Sequence, residues 1–192
     1  MTARVWLLAG LAVFMSGCAS AHYARTQSGT LSGRVIVEWR KPDLFVFRPD
    51  TGQPLTFVRK DGDVLKPGEM FTDGGSIPRP FWVLKNFSPW GFGPAFIVHD
   101  WLFHMHRCKL PGYEHYSVEA AATIMSEIMK TMMESPGFDY GSKTTVYLMY
   151  TAVETPTARD AWNIGKCITP STAGLAAPPD QVFIVEFPGK PR

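Results

Sequence analysis

Short apolar runs bounded by polar positions mark three early stretches, "RVIVEW" (Arg34 to Trp39), "DLFVFR" (Asp43 to Arg48) and "LTFVRK" (Leu55 to Lys60). Each is rich in β-branched and aromatic residues, and Pro42, Pro49-Asp50-Thr51-Gly52 and the "KDGD" run at Lys60 to Asp63 interrupt them, so they are expected as strands joined by turns. From Pro94 the pattern changes. Ala95 to His106 holds no Gly or Pro and reads as a helix that Pro94 can open. A second helix is expected from Ser117, a plausible N-cap, to Met133. There Ala120, Ala121, Ile124 and Ile128 share one face, while Glu119, Thr123, Ser126, Lys130 and Glu134 share the other. "TTVYLMYTAVE" (Thr144 to Glu154) is apolar nearly all round, which suggests a third, buried helix, although its β-branched content leaves a strand open. "QVFIVEF" (Gln181 to Phe187) reads as a closing strand after the loop-like "STAGLAAPPD" (Ser171 to Asp180). The expected fold is therefore α+β: an antiparallel β meander, about three helices and a C-terminal strand, in a single globular domain over residues 33–192.

The first residues follow a different logic. Arg4 provides a short positive region, Val5 to Met15 an apolar one, and Ser16-Gly17 places small residues before Cys18, which is the layout of an export signal over residues 1–17. Met15-Ser16-Gly17-Cys18 resembles the lipobox of bacterial lipoproteins, and that resemblance implies cleavage before Cys18 and lipidation of its thiol. Each buried methylene of an acyl chain adds about 0.8 kcal/mol of membrane affinity, so the implied partner is a membrane. Ala19 in the next position implies, by the same resemblance, sorting to the outer membrane, with the domain facing the periplasm. Ala19 to Ser32 is small and polar, so residues 18–32 are expected as the lipidated cysteine and a flexible tether.

The formal net charge is +2, and removal of Arg4 with the leader brings the mature chain closer to neutrality. A nucleic-acid footprint is not expected on such a surface. With Cys18 lipidated, Cys108 and Cys167 are the remaining thiols. An even number in an oxidising compartment suggests a disulfide, two unpaired buried thiols being the alternative.

Two motifs carry candidate chemistry. "FTDGGSIPRPFW" (Phe71 to Trp82) must turn sharply at Gly74-Gly75, and Asp73 and Ser76 there are either local turn-formers or functional groups. "FIVHDWLFHMHRC" (Phe96 to Cys108) places His99, Phe103 and His106 on one helical face with Phe96, and Asp100 and His104 on another. Asp100 and His104, one turn apart, could hold a divalent metal, although no HExxH or paired CxxC accompanies them. His99 could act as a general base whose ring a carboxylate orients. The competing reading is a satisfied core histidine beside a surface pair.

In order and spacing the two motifs resemble a family of bacterial and phage proteins catalogued as domain of unknown function 1353, whose members carry a TDGxSIPR turn and, some twenty residues on, an HDWLY helix start. The matching residues are Thr72 to Arg79 and His99 to Phe103, and "VYLMYTAV" (Val146 to Val153) looks like the family's third helical block. The resemblance spans roughly Phe45 to Trp162. The chain departs from the pattern twice: Phe103 stands where tyrosine is usual, and Ala120 and Ala121 stand where members place an aspartate on the next helix. Glu119 is near in sequence but falls on the polar face. Three functions are compatible with this pattern: a hydrolase with His99 as base, Asp100 and Asp73 orienting it or holding a metal, and Ser76 as nucleophile or oxyanion donor; a noncatalytic envelope lipoprotein whose two motifs form one polar network; and a prophage-derived module that blocks a receptor, for which Phe81 to Phe92 is the candidate apolar patch.

Overall fold

β1 (Thr30–Arg40) is the strand on which the sheet is organised, in a computed structural model that describes residues 16–42, 44–73, 91–171, 175 and 178–187. The architecture is α+β, with β2 (Leu44–Arg48), β3 (Thr56–Val58), β4 (Val64–Leu65), β5 (Met70–Thr72) and β6 (Gln181–Phe187) completing an antiparallel sheet. The order is β4-β3-β1-β2-β5, with β6 also pairing β1. β2 pairs the second half of β1, from Ile36 with Arg48 to Arg40 with Leu44, whereas β3 pairs its beginning, Thr30 with Val58 to Ser32 with Thr56. Between them Asp50 Oδ1 accepts the Gly52 and Gln53 N–H groups, both at 2.8 Å, the Asx turn that its side chain favours. Gly33, at φ +96°, lets β1 pass against the Pro54 carbonyl, where a Cβ would collide. β4 and β5 are too short for a two-residue period to reveal them.

Helix α1 occupies residues 16–25. After the sheet come α2 (Gly93–Cys108), a single 3-10 turn at Tyr113–His115, α3 (Val118–Met133), α4 (Lys143–Val153) and α5 (Pro156–Ile164). Hydroxyl caps set three of the starts: Ser117, Ser142 and Thr155 accept the N–H groups of Ala120, Thr145 and Ala158. Pro94 and Pro156 occupy first turns, where the missing N–H costs nothing. α2 stops at Lys109, whose φ of 52° is left-handed and turns its N–H back toward the His106 carbonyl. Phe92, just before α2, packs on Phe138 and Tyr140 beyond the end of α3, at ring separations of 5.6 and 5.3 Å, so α2 and α3 are antiparallel.

The core lies between sheet and helices. Val35, Val37, Phe47, Phe57 and Met70 from the strands meet Phe96, Ile97, Leu102, Ile124, Met125, Ile128 and Met129 from α2 and α3, all buried. Ala121, Ile124 and Ile128 face inward, in keeping with the periodicity. The Arg59 guanidinium, just past β3, donates to both carboxylate oxygens of buried Glu127 on α3, at 2.8 and 2.9 Å. The disulfide joins Cys108 to Cys167, with Cα atoms 4.7 Å apart. It ties the end of α2 to the segment after α5, whose Ala161 carbonyl accepts Arg107 Nε and Nη2 at 3.0 and 2.8 Å.

Three expectations need correction. Residues 18–32, read as a flexible tether, are helical through residue 25 and enter β1 at Thr30. Ser126, placed on the polar face of α3, is fully buried because α1 lies over it. α4 is a helix but not a buried one, since only Thr145, Val146 and Met149 are inaccessible. α5 went unforeseen, although Thr155-Pro156 is a start signal. At the far edge of the sheet, β6 pairs β1 from Gly33 with Phe187 to Trp39 with Gln181. Its Val182, Phe183, Ile184 and Val185 stay exposed, so both of its faces lie beyond the helical layer.

Candidate functional site

The end of β5 and the first half of α2 meet where the two sequence motifs begin. α2 is held there by buried Phe96, Ile97, Val98 and Leu102, which leaves His99 and Asp100 one residue apart on adjoining faces. His99 is 9% exposed, and its Nδ1 lies 3.7 Å from Asp100 Oδ1. The other oxygen of Asp100, Oδ2, accepts the hydroxyl of Thr72 at 2.7 Å. That bond fastens the last residue of β5 to α2. The short distance and ionised acceptor make it one of the stronger side-chain hydrogen bonds available to a neutral donor.

The His99 ring packs on Phe103, one turn along, at 4.7 Å, and Phe103 in turn meets Trp162 of α5 edge-on at 4.9 Å. Its Nε2 is buried and has no hydrogen-bond partner among the described residues. A buried imidazole nitrogen without a partner carries a desolvation cost, so such an atom calls for a functional or structural reason. Nδ1 faces the carboxylate at 3.7 Å, beyond hydrogen-bonding distance, so the carboxylate acts on the ring by charge, and an unpartnered Nε2 is a nitrogen that can accept a proton from a hydroxyl or a water.

The remaining candidates are distributed unevenly around this pair. Asp73 follows Thr72 directly and is exposed, while Ser76 and most of the Phe81 to Phe92 run lie outside the described residues. Phe92 itself is fully buried. The His104 ring stacks on Trp101 at 5.5 Å, and its Nδ1 lies 3.9 Å from Cys108 Sγ. Burial, and then the Arg107 charge, hold the His104 imidazole below its ordinary pKa. Among the described residues no group of three or more His, Cys, Asp or Glu side chains is arranged to hold a metal ion. Ala121 faces the core, and Glu119 is turned outward into an ion pair with Arg159 at 2.7 Å. Glu119 therefore supplies no further carboxylate to the His99–Asp100 pair.

Thr72 is the participant that residue types did not reveal. It opens the turn motif, and only the pairing of β5 with β2 at Phe45 places its hydroxyl against α2. The family model described as a protein of unknown function (DUF1353) matches residues 52–153, more than half of the chain, and the chain belongs to that family. The match contains Thr72, His99, Asp100 and helices α2 to α4, and leaves out α1, β1, β2, α5 and β6. No curated protein and no solved structure matches.

Proposed function

We propose that the chain is an envelope lipoprotein, held at the outer membrane through Cys18 with its domain in the periplasm, and that His99 and Asp100 form the proton-transfer pair of a hydrolase. The observation that carries the reading is the His99 ring itself, with Nδ1 toward a carboxylate and Nε2 buried without a partner among the described residues. In the reaction Nε2 takes the proton of the attacking hydroxyl, from water or from Ser76, as its oxygen bonds to a carbonyl carbon. The imidazolium, steadied by Asp100, then returns the proton to the leaving group as the carbonyl–heteroatom bond breaks. No step requires a metal, and Asp100 and His104 remain the residues that a divalent ion would test. The experiment is turnover of ester and peptidoglycan substrates by the parent and by Asp100→Asn, which keeps the Thr72 acceptor but removes the charge. A loss of about 100-fold or more is expected. Equal turnover in both, or none in the parent, contradicts the catalytic reading.

The Thr72 to Asp100 bond favours a second, noncatalytic reading, in which the pair clamps the strand-to-helix junction of an envelope protein. Thr72→Val then lowers the thermal midpoint by about 2–4 °C, and no substrate is turned over by the parent.

A further inference from the structure

α1 is fixed to the helical layer from Ala19 onward. His22 Nε2 lies 3.4 Å from Ser126 Oγ, and Lys130 Nζ donates to the Thr26 carbonyl at 2.9 Å. Both pairs are separated by 104 positions, so α1 runs parallel to α3. Lys130 also donates to the Tyr23 carbonyl at 3.0 Å and sits 4.8 Å over the Tyr23 ring. A cation on the last carbonyls of a helix satisfies orphaned acceptors at the negative end of its dipole. On the α4 side the His22 ring lies 4.3 Å from Tyr150 and 5.7 Å from Tyr147. Just past the helix, the Gly29 N–H donates to Thr131 Oγ1 at 2.8 Å. Ala19, the residue after Cys18, is 1% exposed.

Every one of these contacts is made by a residue that follows Cys18, so the docking survives removal of residues 1–17. The burial of Ala19 carries the docking up to the residue next to Cys18. We infer that Cys18 opens a docked helix instead of a linker, and that the α3–α4 side of the domain rides directly on the lipid headgroups in a set orientation. The inference rests on the anchored-lipoprotein reading above. A free chain from residue 18 to residue 29 would let the body range roughly 40 Å from the bilayer. A docked helix about 10 Å across holds it near that distance.

The test uses membranes carrying the full-length, processed protein. Arg25 is exposed, so trypsin cuts after it once the backbone of α1 opens, and the rate of the fragment beginning at Thr26 reports that opening. The parent is expected to yield this fragment at least about tenfold more slowly than Lys130→Ala or His22→Ala, two independent lesions of the dock. Equal, fast cleavage in all three, from protein that was membrane-bound beforehand, overturns the docked anchor and leaves the lipoprotein reading standing. Recovery of the parent and of Cys18→Ser alike in the soluble fraction overturns the lipoprotein reading, and the membrane-facing assignment with it.

Discussion

Residues 18–32 and residues 96–108 are both held against the body of the domain, yet by different means. The second segment packs by area: Phe96, Ile97, Val98 and Leu102 are buried, and its polar residues take what the helix geometry leaves them. The first is small and polar and is fixed largely by hydrogen bonds from α3, through Lys130 to two of its carbonyls and from Gly29 to Thr131. Hydrophobic periodicity reports attachment by buried area and is blind to attachment by hydrogen bonds. A polar stretch is a linker only when nothing elsewhere in the chain can satisfy its backbone.

The largest effect expected from breaking either attachment is at the end of α2. Replacing both Cys108 and Cys167 with serine opens a loop spanning 59 positions and is expected to cost roughly 4 kcal/mol on the chain-entropy model. Urea denaturation with and without reductant checks it: the parent should fall to the level of the double variant when reduced.

Next comes the polar side of α3. Arg59→Met leaves the Glu127 carboxylate buried without its bidentate partner, at an expected cost of about 3 kcal/mol. Equilibrium unfolding reads this as a lower midpoint. Arg59→Met with Glu127→Met should recover much of the loss, because the penalty comes from the stranded charge more than from the lost pair.

The smallest effect is one of pH and belongs to α1. Burial first, and then the charge of Arg25, lower the His22 pKa against an opposing pull from Glu154. A base with a depressed folded pKa is neutral in the folded state, so its stability contribution is complete above the unfolded value of 6.5 and is lost as pH falls through the folded one. Tyr147, Tyr150 and Ser126 face the same ring without adding charge near neutrality. Between about pH 7 and about pH 5, the parent should lose more stability than His22→Asn. Equal losses in the two proteins would remove His22 as the cause.

Much of the fold was legible because its longer elements carry strong periods and explicit caps. Ser117 and the Ala121, Ile124, Ile128 stripe marked α3 to within a residue. β4 and β5 were not, since two- and three-residue strands show no period. β3 joins the beginning of β1 by way of Asp50 and Gly33, a connection that no local pattern dictates. At the candidate site, His99 and Asp100 could be named from spacing on one helix. Thr72 could not, because its role depends on a pairing between strands and on the approach of β5 to α2. Helix spacing put Asp100 and His104 one turn apart, and the contacts of the His104 ring with Trp101 and Cys108 are ones that spacing alone does not reveal.

The most direct measurement is His99→Gln in the full-length protein, with thermal midpoint and turnover of ester and peptidoglycan substrates recorded on the same preparation. Glutamine keeps a polar side chain of similar reach but cannot take up a proton near neutrality. As the proton-transfer base, His99 predicts a variant that keeps the parent's midpoint within a few degrees and loses turnover by about 100-fold or more. A variant that turns over substrate as the parent does, or a parent that turns over none while the variant melts several degrees lower, would contradict it and leave His99 as part of the packing between α2 and α5.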